Sequence, residues 1–334
     1  MMSSGAPQRP DSEVSLEAKV SFLGDPENYP GAPETVECLE THLSWVFLTP
    51  RYVYKLKKPL HYEFLDFRTL KARLSNCERE IRLNKKLAPD IYLGIVTLSS
   101  HPTLGLNLDD KGETVEVLVK MRRLPDHQCL EHQLGQGHVE VSQVDAAANR
   151  LARFYAEQPA ETPVDPAYLE RRIHTIQQEL SRIEVDTQKQ RKRLVQALLS
   201  ALASQHEELA QRTTREVHGD LRPQHVYLGQ APLFIDRLEF NRQLRVMDPL
   251  EELSFFAMEC SQKGAAWIGE RFIEAYRSNS APAFSPELVD FYTGLRALLW
   301  ALLSARHIPR QDHRKDWKHI TNNYLEYGLK AISG

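Results

Sequence analysis

The residues with most chemistry to offer lie in one stretch, His218-Gly219-Asp220-Leu221-Arg222-Pro223-Gln224-His225, followed by Val226-Tyr227-Leu228, a Gly229-Gln230-Ala231-Pro232 turn and Leu233-Phe234-Ile235-Asp236. Two short runs of β-branched and aromatic residues around a Gly/Pro turn predict a hairpin. Pairing through that turn sets His225 opposite Asp236 at the open end of the ladder, with the Asp220 loop directly above. Two carboxylates, an imidazole and a guanidinium then converge. Phosphoryl transfer asks for such a set: one carboxylate to orient and deprotonate an accepting hydroxyl, a second to hold Mg²⁺, and a cation beside the moving phosphate. A polar hairpin with unrelated surface charges is the plainer reading of the same residues.

The elements needed to position these groups can be read on either side. Upstream, Leu43–Leu48 and Tyr52–Leu56 flank Thr49-Pro50-Arg51 and predict a second hairpin. Asp66 is placed to cap a helix running to Leu87, with Leu70, Leu74, Cys77 and Ile81 as its apolar stripe and Pro89 as its stop. Strands are expected at Ile95–Leu98 and Val115–Met121, giving a small α+β lobe over residues 14–124. Beyond Pro125 the pattern is helical from Val141 to Arg215, with Leu169, Ile173, Ile176, Leu180 and Ile183 as a packed face, and again from Leu250 onward. The fold class expected is therefore α+β: a small mixed N-lobe and a larger, mostly helical C-lobe over 125–334 that carries the loop at 218–236. Residues 1–13, rich in Ser, Pro and Gly, read as a disordered tail, and Glu13–Leu23 as a short helix.

Composition narrows the partners. With 334 residues there is room for two domains. The formal charge of −3 gives no basic excess for nucleic acid. The apolar run Leu295–Leu303 is about half the ~20 residues of a membrane span and contains Arg296, so no membrane role is expected. The N-terminus lacks the apolar core of a signal peptide, and the four cysteines form no C-x-x-C pair. A cytoplasmic protein with reduced thiols is expected; nothing in the sequence speaks to oligomeric state.

The stretch 218–236 resembles the catalytic loop of the aminoglycoside phosphotransferase and small-molecule kinase family, H-G-D-x-x-x-x-N followed by a strand ending in Asp, and is similar to the protein-kinase loop H-R-D-L-K-P-E-N. The resemblance implies a protein-kinase-like two-lobed fold that moves the γ-phosphate of ATP to a hydroxyl of a small molecule. It implies Asp220 as catalytic base, Asp236 as Mg²⁺ ligand, Arg222 in the place of the phosphate-contacting lysine, and His218 as a brace of the loop. His225 stands where the family has its second metal-binding Asn. Imidazole suits the hard Mg²⁺ ion poorly, so that site would be weakened, lost or adapted to Mn²⁺.

A kinase-like site also needs a strand lysine for the α- and β-phosphates and a helix glutamate to hold it. Alternation along Arg51–Lys58 puts Val53, Lys55 and Lys57 on one face and Tyr52, Tyr54 and Leu56 on the other. Lys55 resembles the ATP lysine, with Val53 against adenine; Lys57 is its rival on the same face, and an edge strand kept soluble by lysines is the alternative. Glu78 and Glu80 flank the apolar stripe of the following helix, and spacing in the family comparison favours Glu80. Val117–Pro125 looks like the strand entering the hinge, with the backbone of Lys120, Met121 and Arg122 offered to the adenine edge; Met121 also reads as plain core. No glycine-rich loop joins the first two strands, leaving Thr41 and Ser44 hydroxyls and backbone amides to face phosphate.

Glu40–Leu48, Tyr54–Pro59, Phe64–Phe67 and Asp236–Asn241 together are similar to the phosphotransferase half of bacterial two-part proteins that also carry a P-loop kinase domain. The similarity covers roughly Glu37 to Glu259, and no G-x-x-x-x-G-K-[ST] is present. Asp248 and Glu252 match the family's acidic pair and are expected to be braces. Arg222 and Asn241 are the residues nominated to face the acceptor. Two other readings remain: a nucleotide-binding pseudokinase, suggested by His225, and a metal-dependent hydrolase with His218, Asp220, His225 and Asp236 as ligands.

Overall fold

The computed structural model describes residues 14–62, 65–108, 111–185, 187–279, 282–308 and 316–333; the tail at 1–13 lies outside them. The protein is α+β, and the chain divides after Pro125 into two compact units.

The first unit is built on a six-stranded antiparallel sheet of order β1-β2-β3-β8-β6-β7, where β1 is Glu37–Glu40, β2 Ser44–Leu48, β3 Tyr52–Lys57, β6 Tyr92–His101, β7 Gly105–Asn107 and β8 Glu113–Arg122. Two further two-residue strands, β4 (His61–Tyr62) and β5 (Leu65–Asp66), pair with each other. The β2–β3 hairpin pairs Ser44 with Lys57, Val46 with Lys55 and Leu48 with Val53. Because β3 is hydrogen-bonded on both sides, to β2 and β8, it is not the lysine-protected edge that its composition allowed. Alternation sends Tyr54 and Leu56 into a core with Phe47, Leu98, Leu118 and Leu23 of α1 (Leu16–Leu23). Helix α1 starts at Leu16, with Ser15 as its cap.

Helix α2 (Leu70–Asn84) is capped by Thr69, whose side chain accepts from Ala72 N. Asp66 is instead turned onto Arg68, two residues on. The fully buried face of α2 is not the Leu70-Leu74-Ile81 stripe but Arg73, Asn76, Cys77, Glu80 and Leu83. Charges occupy it because the sheet supplies partners: Arg73 binds both carboxylate oxygens of Glu116 on β8 at 2.8 and 2.7 Å, and Glu116 also accepts from Lys19 of α1 at 3.0 Å.

The second unit is helical. The single run expected over 141–215 is broken into α4 (Val141–Glu157), α5 (Pro166–Ser181), α6 (Gln188–Ser204) and α7 (His206–Ala210), preceded by α3 (Leu130–Gln136). Pro166 at the first position of α5, with Asp165 as cap, starts the new helix. There follow β9 (Arg215–Glu216), the hairpin β10 (Val226–Tyr227) and β11 (Leu233–Phe234), β12 (Val246–Met247), α8 (Pro249–Gln262), α9 (Ala266–Asn279), α10 (Pro286–Ala305) and α11 (Trp317–Ser333). Among the described residues α10 is the one helix long and apolar enough to cross a membrane, and 72% of that stretch is buried within the protein. It packs on α5, α6, α8 and α11, as a core helix does.

Candidate active site

The first unit brings one glutamate to two lysines. Glu80, fully buried on α2, reaches β3, where Lys55 Nζ lies 3.0 Å from Oε1 and Lys57 Nζ binds Oε2. Glu78 is exposed on the other flank of the helix. The two lysines share a face, as alternation requires, but differ in access. The Lys57 side chain is 1% exposed and the Lys55 side chain 14%, so Lys55 is the one with an ammonium within reach of a ligand. Val53 pairs with Met121 across β3 and β8, both on that lysine-bearing face. Lys120 points the other way, its ammonium 4.3 Å from the centroid of the Tyr52 ring.

Two details of this unit differ from expectation. The amides of Arg122 and Arg123 donate to Ile91 O and Arg51 O at 2.9 Å, so Lys120, Met121 and Arg122 lie inside the paired sheet and not at a free backbone edge. Among the described residues, the first amide past the sheet with no partner is that of Leu124. The Thr41 hydroxyl closes its own turn, donating to Ser44 O and accepting from Ser44 N, while Ser44 is buried. Neither hydroxyl is presented to a phosphate.

In the second unit the loop 218–225 and the end of the β10–β11 hairpin converge. The ladder pairs Val226 with Phe234, and Ile235 N donates to His225 O at 3.0 Å, so Asp236 lies one residue past the point opposite His225. Asp236 has φ +60°, a left-handed conformation that Asp tolerates better than most residues. Its Oδ2 lies 3.8 Å from His225 Nε2. On the other side His225 Nδ1 is 2.8 Å from the Asp220 carbonyl and 3.8 Å from Asp220 Oδ2. A carbonyl can only accept, so Nδ1 carries a proton toward it, and the Gln224 amide lies 3.3 Å from Nε2. Asp220 and Asp236 are both more than one-third exposed, while His225 between them is buried.

The loop is held from beneath. His218 is fully buried; its Nε2 lies 2.9 Å from Ile235 O and its Nδ1 accepts from Asp220 N. With both ring nitrogens engaged His218 braces the loop and is not available as a ligand. Burial, helped by the neighbouring His225 and Arg237, pushes its pKa down to about 3, so it is neutral. Gly219 has φ +93°, and a Cβ there would lie 2.8 Å from both Arg245 Cβ and Leu238 Cβ. Its amide and that of His218 donate to the Glu252 carboxylate of α8, which also accepts from the Tyr155 hydroxyl. Burial raises the Glu252 pKa despite these donors. Asp248 caps α8 and binds Arg212 and Tyr292. Both acids are braces. Arg237, the residue after Asp236, is fully buried and donates to Val217 O.

Arg222 turns its Nε to Asp220 Oδ1 at 3.1 Å, while its guanidinium lies 4.0 Å from the centroid of the Trp300 ring and one Nη is 4.0 Å from Glu259. It walls a cavity of about 490 Å³ that also draws on α3, α8, α10 and α11. Asn241 is not in that wall; it caps the short turn Arg242–Arg245, accepting from Gln243 N. The cavity's other residues, among them Glu259, Trp300, Trp317 and Tyr324, come from helices far apart in sequence.

Asp236 and His225 are the residues that could hold a divalent ion on the open side of this site. Among the described residues no three His, Cys, Asp or Glu side chains are grouped to hold one. Asp236 Oδ2 and His225 Nε2 offer one oxygen and one nitrogen, leaving the remaining positions for phosphate oxygens and water, the manner in which nucleotide-bound Mg²⁺ is usually held. The nitrogen favours a more nitrogen-tolerant ion such as Mn²⁺.

No family model matches the chain. Uncharacterized proteins of Mycobacterium bovis and Mycobacterium tuberculosis are 31% identical to it over 281 residues, 80% of this chain and 54% of theirs. The chain thus spans about half the length of the curated relatives it matches. Among solved structures, it is similar to a choline/ethanolamine kinase family protein from Mesorhizobium loti (15% identity, 95% of this chain and 98% of that one, TM-score 0.57). It is similar also to choline kinase from Cryptosporidium parvum (14%, 96% of each chain, TM-score 0.54) and to a glucosamine kinase (14%, 96% and 82%, TM-score 0.51). At these identities the likeness is one of fold: the chain has the protein-kinase-like fold of choline kinases and aminoglycoside phosphotransferases.

Proposed function

We propose that the protein is an ATP-dependent phosphotransferase that moves the γ-phosphoryl group to a hydroxyl of a small molecule. The observation that carries this is the convergence of Asp220, His225 and Asp236 on a loop whose backbone is fixed by His218 and Glu252. The fold likeness supports it, since the neighbours are small-molecule kinases, one of them a glucosamine kinase solved with glucosamine, ADP and inorganic phosphate.

Asp220 accepts the proton of the acceptor hydroxyl as that oxygen forms its bond to the γ-phosphorus. The bond from phosphorus to the β–γ bridging oxygen breaks, and ADP leaves with the electron pair. A metal ion held by Asp236 and His225 would neutralise charge on the phosphates. Lys55, fixed by Glu80, binds phosphate oxygens, with Lys57 as the second support of Glu80. Val53 and Met121 give the purine an apolar surface. Leu124 N–H takes the hydrogen-bonding part expected of Lys120 and Arg122. Arg222, turned toward Glu259 and Trp300, positions Asp220 rather than reaching the phosphoryl group. Thiols at Cys38, Cys77, Cys129 and Cys260 suit a reducing, cytoplasmic setting.

The test is thermal unfolding with ATP or ADP and Mg²⁺, Mn²⁺ or EDTA, on the natural sequence and on Asp236→Ala and Lys55→Met. A metal-dependent rise lost in both variants is expected; at 100 times the dissociation constant a ligand adds about 2.7 kcal/mol. No rise with any nucleotide would refute the proposal. Binding without phosphoryl transfer to any acceptor would favour a pseudokinase, the reading that His225 in a metal position supports.

A further inference from the structure

The cavity walled by Arg222 has a chemistry of its own. It lies wholly within the second unit, and at about 490 Å³ it is within the ~300–1,000 Å³ usual for small-molecule sites. Arg222 is the joint between it and the candidate base, because the same guanidinium holds Asp220 Oδ1 and forms part of the wall.

Its charges are already matched. Lys263 lies 2.6 Å from Glu131, and Arg222 lies 4.0 Å from Glu259, which also accepts from the Tyr324 hydroxyl at 2.9 Å. Among the described residues of the wall two cations stand with two carboxylates, so the lining carries no net charge to draw in a strongly charged ligand. The indole most suited to a cationic ligand is committed as well. Arg222 sits over the Trp300 ring at 4.0 Å, beside Phe255, which stacks on the same indole at 5.0 Å and 6°. A quaternary ammonium needs an open aromatic face and a spare carboxylate, and here a guanidinium of the protein uses both. The groups left over, the amide of Gln262 and the hydroxyl of Ser304, each donate and accept. That is the complement of sugar hydroxyls, which do the same.

We infer that this cavity binds a neutral, polyhydroxylated acceptor, a sugar or cyclitol, and that Arg222 excludes quaternary ammonium compounds from it. The inference rests on the phosphotransferase reading only for which hydroxyl reacts; the binding itself does not require turnover.

Calorimetric titration without nucleotide separates the two. Glucose, N-acetylglucosamine, myo-inositol and choline are the probes, each against the natural sequence, Gln262→Ala and Arg222→Ala, with unfolding curves to verify that the variants fold. At least one of the three neutral probes binds the natural sequence, about tenfold more weakly to Gln262→Ala, whereas choline does not bind. In Arg222→Ala the indole face and Glu259 are released, and choline binding appears. The inference is overturned if choline binds the natural sequence as well as it binds Arg222→Ala, if Gln262→Ala leaves the affinity for the neutral probe unchanged, or if none of the three neutral probes binds. Failure of phosphoryl transfer with sugar binding intact would refute the proposed reaction and leave this inference standing.

Discussion

Replacing Glu80 by glutamine should be among the most damaging single changes in the first unit. Glu80 is fully buried and balances two ammonium groups, one of them on a side chain only 1% exposed. Glutamine keeps the shape and removes the charge, stranding Lys57 as a buried cation beside Lys55. Breaking a buried pair in this way costs about 3–5 kcal/mol, because the remaining charge is left without compensation. At about 2–4 °C per kcal/mol the unfolding midpoint falls by on the order of 10 °C. Two companions isolate the cause. Lys57→Met added to Glu80→Gln removes the stranded charge and should recover a substantial part of the loss. Lys55→Met alone leaves Glu80 paired with Lys57, so it should lower stability by only about 1 kcal/mol, yet abolish the response to nucleotide. The assay is thermal unfolding by circular dichroism, with and without ATP and metal. A Glu80→Gln midpoint within experimental error of the natural protein, or no recovery on adding Lys57→Met, would refute the reasoning.

Other expectations concern the loop. His218 is neutral when folded, with a pKa of about 3 against an ordinary 6.5. The unfolded chain therefore takes up a proton first as pH falls, and the stability present above pH 6.5 is lost at about 1.4 kcal/mol per pH unit toward pH 3, about 5 kcal/mol in all. His218→Gln should flatten this part of the profile of midpoint against pH; parallel profiles would disprove it. Gly219→Ala places a methyl 2.8 Å from two Cβ atoms at a positive φ, so a loss of about 1–3 kcal/mol is expected in denaturant titrations. His225→Asn should shift metal preference from Mn²⁺ toward Mg²⁺, and imidazole-nitrogen coupling in the electron spin echo of bound Mn²⁺ should vanish with it; an unchanged spectrum would show that His225 is not a ligand.

The sequence exposed the parts of the site that are local. Asp220, His225 and Asp236 sit within seventeen residues, and a turn between two short strands was enough to bring them together. Period-two alternation put Lys55 and Lys57 on one face but could not rank them, since access is decided by α2 packing over β3. The true inner face of α2 was hidden for the same reason. Arg73 lies off the apolar stripe that the spacing suggested, and Glu116 on the sheet makes its burial tolerable. Cap competition misplaced the start of that helix, because Asp66 and Thr69 are both good caps and Asp66 is captured by Arg68. The acceptor cavity was out of reach altogether: Trp300, Trp317 and Glu259 meet only through the packing of α8, α10 and α11.

Helix α8 joins two tasks on one rod. Its first turn carries Glu252, which grips the amides of His218 and Gly219, and its last turns carry Glu259 and Gln262 in the cavity wall. Glu252 and Glu259 are seven residues apart, about 10.5 Å along the axis and within about 20° of the same face. The helix thus sets a fixed offset between the loop that bears the base and the wall that reads the acceptor. Substitutions at the C-terminal end can retune what is bound without disturbing the grip on the loop. An insertion or deletion of a single residue between them would swing that wall by about 100° and take the acceptor away from Asp220. Divergence of acceptor preference on this scaffold should therefore proceed by exchange of side chains along α8, with its length held constant.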